Sequence, residues 1–98
     1  MIIKNKITKE LLEEPFIKAV ADIKQGFISL GCELHIDCAE ELIKNGSLAK
    51  DLWGFNIYPD GNLDFVSLIN IRPQDNNRSM RIQDENIKKK ITEVFNKY

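Results

Sequence analysis

Residues 52–72 carry apolar side chains on both alternating faces, with the pair Asp60-Gly61 near the middle. Alternation at period two on either side of Asp-Gly predicts a β-hairpin of residues 52–58 and 63–72 with a type I′ turn. A two-residue loop would set Pro59 against Asn62, Phe55 against Val66, Trp53 against Leu68 and Asp51 against Asn70. The other face would hold Leu52, Tyr58, Leu63, Phe65, Ile69 and Ile71. A sheet that is apolar on both faces has to be covered twice, by helices on each side or by a second subunit.

The flanking segments supply candidates for that cover. Phe16, Ala19, Val20 and Ile23 recur at i, i+3, i+4 and i+7, and Gly26 follows, which predicts an amphipathic helix over 15–25. Thr8 reads as an upstream N-cap, and Pro15 as a kink or restart. Ile2 and Ile3 fit a short edge strand. From Phe27 to Ile36 the period changes to two, with Ile28, Leu30, Cys32, Leu34 and Ile36 on one face and Ser29, Glu33 and His35 on the other. Asp37 with Glu40 resembles a capping box that opens a short helix ended by Asn45-Gly46. Asp84 caps a last helix striped by Ile87, Ile91, Val94, Phe95 and Tyr98, whose solvated face carries Lys88-Lys89-Lys90. The expected fold is α+β: one domain over 1–98, an antiparallel sheet of three or more strands, two main helices near 15–25 and 84–97, and one short helix.

A chain of 98 residues has room for one core. Its net charge of −1, with both signs interspersed, excludes a broad electrostatic attraction to nucleic acid or anionic membrane. No apolar run is long enough to span a bilayer, and Met1-Ile-Ile-Lys4 lacks the core of a signal peptide, so a cytoplasmic protein is expected. In that compartment Cys32 and Cys38 would be free thiols, Cys38 serving as a compact apolar residue. Their spacing is not that of a zinc site.

All three arginines fall within Arg72–Arg81, whereas the other basic residues are lysines. Guanidinium forks match carboxylate and phosphate, so this loop is the candidate anion site. Asp51, Asn70 and Arg72 would share the polar end of one hairpin face, with Asn77, Arg78 and Ser79 adding donors beside them. Glu33, His35 and Asp37 alternate along the predicted strand, and a carboxylate beside the lone histidine is the arrangement wanted for acid–base work. His35 and Glu33 are therefore the candidate catalytic pair. They would meet the arginine loop if strand 27–36 lay beside strand 63–72. One histidine with two carboxylates specifies a metal weakly, and no metal or cofactor is expected.

The segments Glu33-Leu-His-Ile-Asp37, Asn45-Gly-Ser47, Asp51-Leu-Trp-Gly54, Asn56-Ile-Tyr-Pro59, Ser67-Leu-Ile-Asn-Ile-Arg-Pro73 and Asn77-Arg-Ser-Met80 together resemble a small prokaryotic family catalogued as a domain of unknown function. The resemblance covers roughly residues 18 to 95 and brings no activity with it. It coincides with the polar set already reached, His35, Asp37, Asp51, Asn70, Arg72, Asn77 and Arg78. In that family a second glycine often stands where this chain has Cys32, which weighs against cysteine chemistry as a shared function. The leading expectation is a small protein that binds a phosphate- or carboxylate-bearing ligand through the arginine loop. The alternatives are a protein- or RNA-binding half of a two-component module, or a metal-independent phosphodiesterase or ribonuclease using His35. A homodimer would serve if the helices failed to cover the sheet.

Overall fold

Ile17–Asp22 is an extended strand, β1, and the sheet is built around it. The computed structural model describes residues 1–8 and 14–98. β1 is followed by β2 (Phe27–Leu30), α1 (His35–Lys44), β3 (Leu52–Ile57), β4 (Leu63–Asp64) and α2 (Glu85–Asn96). The strands form one antiparallel sheet in the order β2-β1-β3-β4, and the fold is α+β as expected.

The helix expected over 15–25 is not formed, because both faces of Ile17-Lys-Ala-Val-Ala-Asp22 are buried, Lys18 alone being half-exposed. A short apolar run of this kind gives helix and buried strand the same signature. Strand partners decide the matter, since β1 pairs along its whole length with β3 and with β2 on its other edge. Gly26, read as a helix stop, has φ +81° and closes the β1–β2 turn, its N–H donating to the Asp22 carbonyl at 2.9 Å. The Asp22 carboxylate holds that turn by accepting from the Lys24 and Gln25 amides, and it accepts from the Ser47 hydroxyl at 2.6 Å. Burial pushes this carboxyl up, but those donors outweigh burial and hold it below the usual range. The expected Thr8 cap belongs to a helix whose first turn would lie at 9–13, outside the described residues. Ile2 bridges Ser29, and the Ile3 N–H donates to the Ile28 carbonyl at 2.8 Å, so the N-terminal segment lines the outer edge of β2.

The strand expected over 27–36 stops at Leu30, where Gly31 turns at φ +82°. α1 begins at His35, with Leu34 at the N-cap position and no side-chain cap, so Asp37 sits inside the first turn and does not open the helix. Asn45 and Gly46 end it as expected, Gly46 at φ +104°. The cysteines are not free: Cys32 and Cys38 form a disulfide that ties the β2–α1 loop to the first turn of α1. β2 is an outer strand, separated by β1 and β3 from β4, so the expected adjacency of strands 27–36 and 63–72 does not exist, and His35 enters α1 instead.

The two apolar faces are each covered by a helix. Val20 of β1 and Leu52 of β3 pack with Cys38, Ala39 and Leu42 of α1. Ala19, Ala21, Trp53 and Phe55 point to the other face and pack with Ile91 and Val94 of α2, which Asp84 caps through the Asn86 N–H.

The hairpin is also shorter than expected, and its register differs by one. Ile57 faces Leu63, Tyr58 N–H donates to the Asn62 carbonyl, and Gly61 at φ +88° makes the loop one of three residues. After Asp64 the chain leaves the ladder, turning through short 3-10 segments at Leu68–Asn70 and Pro73–Asp75. The Asn70 side chain takes over the role of a strand. Its Oδ1 accepts from the Gly54 N–H at 2.8 Å and its Nδ2 donates to the Gly54 carbonyl at 2.9 Å. Gly54 permits the approach, because a Cβ there would lie 2.6 Å from the Ser67 side chain. Asn77 then gathers the following loop: its Nδ2 donates to the carbonyls of Asn70, Ser79 and Arg81, and its Oδ1 accepts from the Gln83 N–H.

Replacing Asn70 by Ala leaves both backbone groups of Gly54 unpaired in a buried position and opens a cavity, so the expected loss is about 3–5 kcal/mol. Urea unfolding measures it. A loss below about 1 kcal/mol would show that the amide is not what joins the loop to β3.

Candidate functional site

α1 crosses its face of the sheet but stops short of the end where Lys18 of β1 pairs with Asn56 of β3. There a cavity of about 380 Å³ opens, with Lys18 and Asn56 on its floor. Leu34, His35 and Ile36, the N-terminal end of α1, form one wall; Val66 to Ile69 and Met80 form the opposite one, and Phe16 closes an end. Several of these side chains lie open to water despite their size, Leu68 at 71%, Leu34 at 57% and Ile36 at 45%. Among the described residues this ring is an apolar face that neither helix covers.

Its polar groups are few and specific. The His35 Nε2 lies 3.0 Å from the carbonyl oxygen of Phe55, to which its N–H donates. Burial pushes the imidazole below its ordinary value; the Phe55 carbonyl and the Asn56 amide oppose this, and the positive charge of Lys18 adds to it. His35 is therefore neutral at neutral pH, with Nδ1 as its acceptor. The Asn56 Nδ2 donates to the Val66 carbonyl at 3.3 Å, while its buried Oδ1 has no hydrogen-bond partner. Lys18 is the one charged residue of the lining among the described residues; its ammonium donates to the Glu33 carbonyl at 2.6 Å, its one hydrogen bond among the described residues.

The other residues singled out from the sequence are placed elsewhere. Glu33 lines a neighbouring cavity with Cys32 and Gly31, not the one that His35 lines. Asp37 is exposed in the first turn of α1. Asn70 and Asn77 are buried and committed to the backbone bonds already described. Arg72 is committed as well: its guanidinium carbon sits 4.1 Å from the centroid of Trp53, its Nη1 donates to the Lys50 carbonyl at 3.0 Å, and its side chain is 11% exposed. Asp51 and Asp75 are the carboxylates whose charge supports it there. Arg78 is exposed, Ser79 accepts from the Arg81 N–H, and Arg81 pairs loosely with Asp64 at 3.6 Å. The arginine cluster is thus divided between a structural guanidinium and two surface ones.

The family-model comparison matches residues 1–98 to the family described as "Protein of unknown function (DUF5674)". The chain belongs to that family. Neither the curated proteins nor the solved structures contain a match to it. No helix among the described residues is long and apolar enough to cross a membrane.

The neutral histidine has a measurable consequence. Because its folded value lies below its unfolded one, the unfolded state binds more protons, and the associated stability is complete above about pH 6.5 and declines as pH falls from there through the folded value. The His35 ring proton shift should titrate with a midpoint below about 6.5, and His35→Gln should remove that part of the decline. A midpoint above 6.5 would contradict the placement.

Proposed function

We propose that this is a small ligand-binding protein whose working site is the cavity at the N-terminal end of α1, and that its ligand is a carboxylate with an apolar body. The observation that carries the reading is the composition of the lining. An almost wholly apolar wall is combined with a single cation, Lys18, and no acidic side chain among the described lining residues. A ligand of this class buries its body between Leu34, Ile36, Leu68 and Met80 and directs its carboxylate toward the Lys18 ammonium. A cationic end group would face Lys18 with no counter-charge, and a fully hydrated phosphate would lose more in leaving water than this wall returns. Of the phosphate or carboxylate expected from the sequence, this reading keeps the carboxylate and moves its receiving residue from the arginine loop to Lys18. The enzyme reading lacks support, since Glu33 does not accompany His35 in the cavity. A cytoplasmic location and a role in a two-component module stay proposals to which the cavity adds nothing.

Thermal shift with a panel of aliphatic and aryl carboxylates, each paired with its alcohol and its amine, tests the reading. The carboxylates should raise the melting temperature with the logarithm of concentration above Kd, and Leu68→Asp or Lys18→Gln should reduce apparent affinity by about ten-fold. Stabilisation that survives Leu68→Asp and is lost in Arg78→Ala would place the anion site on the arginine loop instead. A panel without any shift would remove the proposal.

A further inference from the structure

The disulfide stands in a special relation to this cavity. Leu34, His35 and Ile36, which make one wall, all lie inside the ring closed by Cys32 and Cys38. The two cysteines differ in access. Cys38 is fully buried in the first turn of α1 against Val20, Ala39 and Leu42, whereas Cys32 is half-exposed and lines a second cavity with Gly31, Glu33 and Ile17. That second cavity shares Phe16 and Lys18 with the first, so the route to the sulfur and the ligand cavity are neighbours.

We infer that Cys32–Cys38 is a thiol-exchange site for a dithiol and that its redox state sets whether the wall of the adjoining cavity is fixed. Access determines the direction of the chemistry. The thiolate of the dithiol attacks Cys32 Sγ, the bond between the cysteines breaks, and Cys38 leaves as a thiolate that takes up a proton from the reagent's second thiol, its burial among Val20, Ala39 and Leu42 favouring the neutral form. The second thiol of the reagent then displaces Cys32 from the mixed disulfide. The dithiol ends as a cyclic disulfide and the protein gains two thiols, a balanced two-electron exchange. In a reducing compartment the open form is the resident state, and in an oxidising one the closed form is.

Opening the ring releases residues 33–37, while Asn70, Gly54 and the α2 face are untouched. Leu34 and Ile36 are exposed, and besides the crosslink the segment is held by single hydrogen bonds, Lys18 to the Glu33 carbonyl, the His35 ring to the Phe55 carbonyl and the Asp37 N–H to the Leu34 carbonyl. The effect is accordingly local, and it can be read without any ligand.

Dithiothreitol treatment of the intact protein, followed by thiol counting and amide hydrogen exchange, is the direct test, with Cys32→Ser as a reagent-free equivalent. The expected result is two thiols per chain and exchange about ten-fold faster at the Asp37 amide, which donates to the Leu34 carbonyl in the closed form, with β3 and α2 unchanged. The His35 midpoint should move up as the ring becomes better hydrated. Three results would overturn the inference: no thiols released from the native protein, unchanged exchange at the Asp37 amide in both the reduced protein and Cys32→Ser, or global loss of protection. The last would make the bond a staple of the whole fold. If the local change is seen but no carboxylate binds in either state, the redox site stands and the ligand reading fails.

Discussion

The paired hydrogen bonds between the Asn70 amide and the backbone of Gly54 are the contact on which the second half of this structure depends. A primary amide presents a donor and an acceptor at the spacing of a peptide group, so one side chain replaces a strand neighbour for β3. Once Asn70 is fixed, its own carbonyl receives Asn77, and Asn77 fixes the carbonyls of Ser79 and Arg81. The chain from Val66 to Gln83 is thereby given a single course with almost no regular structure. Buried polar networks of this kind specify a conformation when every member is satisfied, and costs rise quickly when one is removed.

That course creates the cavity. Residues 66–69 and Met80 stand opposite the first turn of α1 because Asn70 holds the segment against Gly54, and α1 begins where it does because Gly31 and the disulfide turn the chain out of β2. The Lys18–Asn56 pair is left between them as a floor. His35 is drawn to the Phe55 carbonyl, and the buried Asn56 Oδ1 beside it has no partner, a cost of the size that sites bear when shape is set by something other than stability.

Parts of this were legible from residues alone, for identifiable reasons. Asp84 with the stripe from Ile87 to Tyr98 specifies α2, since cap and period agree. The need for cover on both sheet faces was also readable from residues 52–72. β1 was misread because Phe16, Ala19, Val20 and Ile23 satisfy a helical period by coincidence, and only its partners on both edges reveal the strand. The later half of the expected hairpin fails because side-chain amides replace the backbone, which hydrophobic alternation does not register. The arginine cluster pointed to a real local structure, but Arg72 is used on Trp53 and Lys50. Period two places Leu34, Ile36 and Leu68 on apolar strand faces, and their exposure is a property of the tertiary fold.

The central claim is that the uncovered apolar face around His35, and not the arginine loop, receives the ligand. Chemical-shift mapping during titration with a short aryl carboxylate tests it most directly. Perturbations are expected to centre on His35, Ile36, Leu68 and Met80, saturating together, with Arg78 and Arg81 unmoved. Perturbations centred on Arg78 and Arg81 that leave His35 unchanged would contradict it.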